Sequence, residues 1–139
     1  MLGTPIGNDH FVREKVYETL EKIGWDILNR ILNLPLSTQD KFILIRACIA
    51  TVPMHLARTT MLNNEETKTL FEEWDKSLLE SICIVTGLDN PYPHLIDLPT
   101  RLGGLGIRFM SGLCDVAFPA SLIQANMINI AQCESNIDC

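Results

Sequence analysis

No two aspartates are adjacent in this chain, and no two of its five cysteines (Cys48, Cys83, Cys114, Cys133, Cys139) have the C-x-x-C spacing. The first absence removes the simplest sequence signal for carboxylates gathered around two metal ions. The second removes zinc knuckles and dithiol redox motifs. The cysteines are odd in number and widely separated, as in a reducing compartment. Cys48 and Cys83 sit in apolar helical patterns and are expected to be buried, reduced thiols. No uninterrupted apolar run reaches the roughly 18 to 20 residues of a membrane span. Met1 to Pro5 lacks the basic head and long apolar stretch of a signal peptide. The chain is therefore expected to be soluble and intracellular, cytoplasmic or nuclear, with no membrane partner. Cations are also scarce: 11 Lys and Arg against 17 Asp and Glu give a net charge of −6, which excludes a uniformly basic surface. His10, His55 and His94 are far apart, and no nucleophile-elbow pattern accompanies them.

What is present is a globular composition, 47% hydrophobic and 20% charged, at a length suited to one core. The apolar positions recur at helical steps. Asn8 or Asp9 caps a helix running to about Asn33, with Val12, Val16, Leu20, Ile23, Ile27 and Ile31 on one face. Gly24 interrupts it and marks either the close approach of a neighbouring backbone or a bend. Ser37 caps a second helix that is apolar almost all round and reads as central; Pro53 kinks or breaks it, and Met54 to Thr60 continue it. Asn63 to Glu66 open a third helix with Leu70, Phe71, Trp74, Leu78, Leu79, Ile82 and Val85 along one stripe, stopped at Gly87. Asp89 to Thr100, with three prolines, reads as an extended link. A last helical region spans about Phe109 to Gln132, divided at Pro119, and the polar stretch from Glu134 to Cys139 frays. The expected fold is all-α: an irregular bundle of four to five helices with a glycine-rich turn before the last helical region, and a residual strand at Leu2 to Ile6.

That turn, Leu98-Pro99-Thr100-Arg101-Leu102-Gly103-Gly104-Leu105-Gly106-Ile107-Arg108, is the most distinctive segment. Three glycines in four positions allow a tight turn or a close approach, and Leu102, Leu105 and Ile107 between them predict that it is packed down. Its spacing fits neither the dinucleotide fingerprint nor a phosphate-cradling loop. The segment resembles the LP-x-R-x-GGLG-(L/I)-R stretch that follows the polymerase core in reverse-transcriptase-like proteins of retroelements. Two further stretches are similar in the same order. Leu2 to Gly7, then Phe11-Val12, resembles the primer-grip end of the strand region after the palm. Ile45-Arg46-Ala47-Cys48 through Pro53, then Leu56-Ala57-Arg58-Thr59, resembles a helix pair of the thumb and connection region.

The resemblance implies a division into 1–7, the end of a primer-grip-like strand and turn; 8–133, a helical thumb-like domain; and 134–139, a tail. It implies no catalytic residue in this chain. The family's Tyr-x-Asp-Asp sequence is absent, and the palm that carries it, with its Mg²⁺, would precede Met1. The implied role is to position a primer–template duplex for a parent RNA-directed DNA polymerase. Lys41, Arg46, Arg58, Arg101 and Arg108 are the candidates for phosphate contact, since thumb cations hold register without reading bases. Each has a structural alternative: Arg46 and Arg58 snorkelling or pairing with the acidic 65–80 helix, Arg101 pairing with Asp97, Arg108 bonding helix-end carbonyls. Trp25 and Trp74 are more consistent with core packing than with base stacking. The adjacent Glu65-Glu66 and Glu72-Glu73 pairs diverge by about 100° on a helix and read as a solvated face. The competing reading is a helical protein-interaction module that self-associates through an exposed apolar face and binds no nucleic acid.

Overall fold

The computed structural model describes residues 5, 7–60, 65–89 and 92–137, and among them there is helix and no strand. Of the expected strand at Leu2 to Ile6, the primer-grip-like Leu2, Gly3, Thr4 and Ile6 lie outside the described residues, as do Asn63 and Asn64, and Pro5 carries no regular structure. Five rods make the all-α bundle. The first is α1 (Asp9–Thr19), a π-helical stretch (Leu20–Trp25) and α2 (Asp26–Asn33). The second is α3 (Thr38–Leu44), a π-helical stretch (Ile45–Ile49) and α4 (Val52–Thr59). α5 (Glu65–Thr86), the short α6 (Pro93–Asp97) and α7 (Cys114–Ile137) follow.

Local chemistry explains the boundaries. The Asn8 side chain accepts from the Phe11 amide at 2.9 Å, and Ser37 Oγ accepts from the Asp40 amide at 3.1 Å, so both rods begin on a side-chain cap. Gly87, at φ +69°, ends α5 as its amide donates to the Cys83 carbonyl at 2.8 Å. The 89–100 stretch is not wholly extended: Pro93, with its preset φ and no amide to satisfy, starts the one-turn α6. The final helix begins at Cys114 rather than Phe109, passes through Pro119, and continues over Glu134 to Ile137, where a frayed tail was expected.

The first rod departs from its sequence pattern in an instructive way. Val16, Leu20, Gly24, Leu28 and Ile31 face the core, while Ile23 and Ile27 are exposed. The wide turn at Leu20–Trp25 takes in more residues than an α-turn, so the buried face moves on by one position. Gly24 then meets the indole of Trp74: a Cβ there would stand 2.2 Å from Trp74 Cζ3. The close neighbour is thus a side chain and not the backbone expected there, and the ring that Gly24 admits is fully buried. Trp25 packs its ring against Trp74 at 6.1 Å between centroids, as core residues do.

The second rod is buried along one stripe, not all round. Ile45, Ile49, Leu56 and Ala57 lie in the core, Ile43 is exposed, and Cys48 is exposed instead of buried. Length and composition alone would let Thr38–Thr59 cross a membrane; in this fold its apolar stripe joins the common core. α5 supplies the largest share of that core, with Leu70, Phe71, Trp74, Leu78, Ile82 and Val85 buried as its spacing predicts.

Candidate functional site

The glycine turn folds back on α6 through its own backbone. Six consecutive amides donate within the segment: Leu102 and Gly104 to the Pro99 carbonyl at 2.8 and 3.3 Å, Gly103 to Thr100 at 3.0 Å, Leu105 to Leu95 at 3.1 Å, Gly106 to Leu98 at 2.9 Å and Ile107 to Ile96 at 3.0 Å. Each glycine has a separate reason to be there. Gly103 and Gly106 sit at φ +85° and +68°, in the left-handed region. Gly104 has ordinary φ, but a Cβ would stand 2.1 Å from the Leu98 carbonyl oxygen. Ile107 is buried and Leu105 half-buried, while Leu102, expected to pack down, is exposed.

A carboxylate from α5 locks the far end of this segment. Asp75 Oδ1 accepts from the Met110 amide at 2.8 Å and Oδ2 from the Ser111 amide at 2.7 Å. Asp75 is only 7% exposed. Burial pushes its carboxyl above the ordinary value, the two amide donors pull it back, and Asp97 adds to the rise. Asp75 belongs to the helix expected to be a solvated acidic face, and sequence reasoning missed it. The available signal was its place four residues after Phe71, on the same buried stripe. Just beyond, the Cys114 Sγ donates to the Ser111 carbonyl at 3.3 Å, and burial raises its thiol above the ordinary value.

The predicted cations are distributed unevenly around this clasp. Arg46 comes to it: a Cβ on Gly106 would lie 3.2 Å from Arg46 Nη2. Arg101 and Arg108 are exposed on the segment itself, Arg108 on the rim of a depression that also takes in Asp97 and Pro99. Arg58 is elsewhere, donating from Nη2 to Gln124 Oε1 on α7 at 3.2 Å. Lys41 Nζ donates to the Leu32 carbonyl at 2.7 Å and so caps the end of the first rod. The structure therefore gathers Arg46, Arg101 and Arg108 around one turn and gives Lys41 and Arg58 intramolecular partners.

Two other features bear on chemistry. An open groove of about 510 Å³ between α1 and α5 is lined by His10, Arg13, Glu14, Tyr17 and Glu73, mixing both signs of charge. His10, His55 and His94 stand on three different helices. Among the described residues, no three His, Cys, Asp or Glu side chains converge into a group that could hold a metal ion. Since six successive amides of the glycine turn are already donated, the turn is not an anion nest either. Comparison with protein families, with curated proteins and with solved structures gives no match.

Proposed function

We propose that the chain is a non-catalytic, thumb-like element of a reverse-transcriptase-like protein, serving to hold a primer–template duplex in register. The order of the sequence stretches and the helical architecture are consistent with this reading. One observation carries it: a turn tied by its own amides and by Asp75 bears Arg101 and Arg108 on its surface with Arg46 beside Gly106. Guanidinium groups on a stiff support suit phosphate oxygens, because little conformational entropy is lost on contact. The contact is by side chains alone, the amides of the turn being used internally. Any Mg²⁺ of a parent polymerase would be held by palm carboxylates that this chain does not contain.

Fluorescence anisotropy with an RNA–DNA hybrid duplex tests the reading. Three neutralised phosphates give a log–log salt slope of about −2.7, and each Arg→Gln change at 46, 101 or 108 lowers it by about one. Absence of binding at low salt, or an unchanged slope in the triple variant, overturns it.

A second reading, a helical interaction module without nucleic-acid binding, is favoured by a different observation. Val116, Leu122, Ile123, Met127 and Ile128 of α7 are each more than half exposed, on a chain whose net charge of −6 repels a duplex.

A further inference from the structure

Between α6 and the start of α7 lies a depression of about 420 Å³ walled by Asp97, Pro99, Arg108, Phe109, Ser111 and Gly112. That volume is at the lower end of the range for small-ligand sites. Asp97 and Arg108 are both exposed, and among the described residues neither enters an ion pair or a side-chain hydrogen bond. Opposite charges left uncommitted in one hollow suit a ligand that brings an anion for the guanidinium and N–H donors for the carboxylate. Pro99 and Phe109 add apolar faces to the same hollow. The floor is stiff, because Asp75 holds the Met110 and Ser111 amides, and the walls lose little entropy on binding. Neighbouring hollows lack the combination: that at Leu88, Tyr92 and Leu95 is lined by no cation, and that at His55 and Arg58 by no carboxylate.

We propose that this depression is a nucleotide subsite for one unpaired guanine, its phosphate on Arg108 and its base edge on Asp97. The inference rests on the duplex-holding reading, which already sets Arg108 against phosphate, and it names the part of the strand taken: an overhanging end. An unstacked base offers its faces to apolar and aromatic walls and its Watson–Crick edge to hydrogen bonds. On that edge guanine carries two adjacent donors, N1–H and N2–H, and a carboxylate supplies two acceptors and no donor. Adenine and cytosine present a ring-nitrogen acceptor there, and the single N–H of uracil is flanked by carbonyl oxygens, so each sets a lone pair against Asp97. A free guanine mononucleotide has the same chemistry as a strand end, and the test separates the two.

Fluorescence anisotropy should compare a blunt RNA–DNA hybrid duplex with the same duplex carrying a single-nucleotide overhang of G, A or C. The G overhang should bind roughly tenfold tighter than the blunt end, and the A and C overhangs no tighter than it. Guanosine monophosphate, titrated alone, should shift the amide NMR signals of residues 108–112, and adenosine monophosphate should not. Asp97→Asn, which turns one acceptor into a donor, should erase the advantage of G and leave blunt-duplex binding unchanged. If that variant loses its helical circular dichroism signal, Gly112→Leu is read instead. Gly112 lies outside the left-handed region and a Cβ there meets nothing within 4 Å, so leucine intrudes on the hollow without displacing the fold. An advantage of G undiminished in the variant read, or amide shifts from free glycine equal to those from guanosine monophosphate, overturns the subsite. Blunt-duplex binding with neither a G advantage nor a nucleotide shift also overturns it and leaves the duplex reading standing. Nucleotide shifts without duplex binding uphold the subsite for a free nucleotide and defeat the duplex reading. Silence from every ligand defeats both.

Discussion

Residues 95–111 and α7 are neighbours along the chain and opposites in how they are held. The first has only the end of α6 and a 3-10 turn at Thr100–Leu102 as regular structure, yet its successive amides are donated, its glycines are fitted to their places, and a buried carboxylate closes it. The second is the longest helix, satisfied by its own ladder and packed on one side. Regularity and tertiary anchoring are thus separate properties. A loop is stabilised only by what it touches, so its sequence is constrained at nearly every atom. A helix supplies its own hydrogen bonds and can leave most of its side chains uncommitted.

The largest expected effect that would sharpen this contrast is at Gly104. A methyl group there collides with the Leu98 carbonyl, a backbone atom that cannot step aside. Gly104→Ala should cost about 3 kcal/mol and lower the melting temperature by about 10 °C, read by circular dichroism melting. Next, Asp75→Asn turns one acceptor into a donor facing a backbone amide, and should cost about 2 kcal/mol in urea unfolding.

That second penalty should depend on pH. The folded-state value of Asp75 lies above the ordinary 3.8, so the folded chain keeps this proton where the unfolded chain has released it. The stability tied to the group is present in full below the ordinary value and is lost as pH rises through the raised one. The penalty of Asp75→Asn should therefore widen on acidification. Glu18 behaves in the opposite sense. Lys15 and Lys22 hold it down to about 2, so its contribution is present in full above the ordinary 4.5 and is lost as pH falls from there through about 2. Since Glu18 lies in solvent, its share is small and screened by salt.

Amide hydrogen exchange tests the comparison without mutation. The amides of Leu105, Gly106 and Ile107 should exchange more slowly than those of residues 121–128 in α7, although only the latter are helical. The reverse order would break the comparison. The smallest effect is expected from Leu122→Gln on the exposed side of α7, which should change stability by no more than about 0.5 kcal/mol in urea unfolding of dilute protein.

Much of the fold is legible in the residues. The caps at Asn8 and Ser37, the stop at Gly87 and the α5 stripe follow from local rules, because each depends on atoms within a turn of one another. The buried face of the first rod is not legible beyond Leu20. The π-turn there is rare in helices and brings Gly24 under Trp74, a partner some fifty residues away. The candidate site divides in the same way. The three glycines announce a constrained turn, but nothing in their spacing reveals that Asp75 closes it. Nor does the spacing show that Arg46 reaches it while Lys41 and Arg58 are engaged elsewhere.

By itself, then, the order of residues determined that the fold is all-helical, where the two capped rods start, where α5 stops and which stripe of α5 is buried, since these depend on interactions a few residues apart. Only the tertiary structure decided the register after the π-turn, the burial of Asp75, the exposure of Cys48 and Leu102, and the open flank of α7. Those outcomes turn on which surfaces meet, and contact between distant segments is a property of the packed chain rather than of any local pattern.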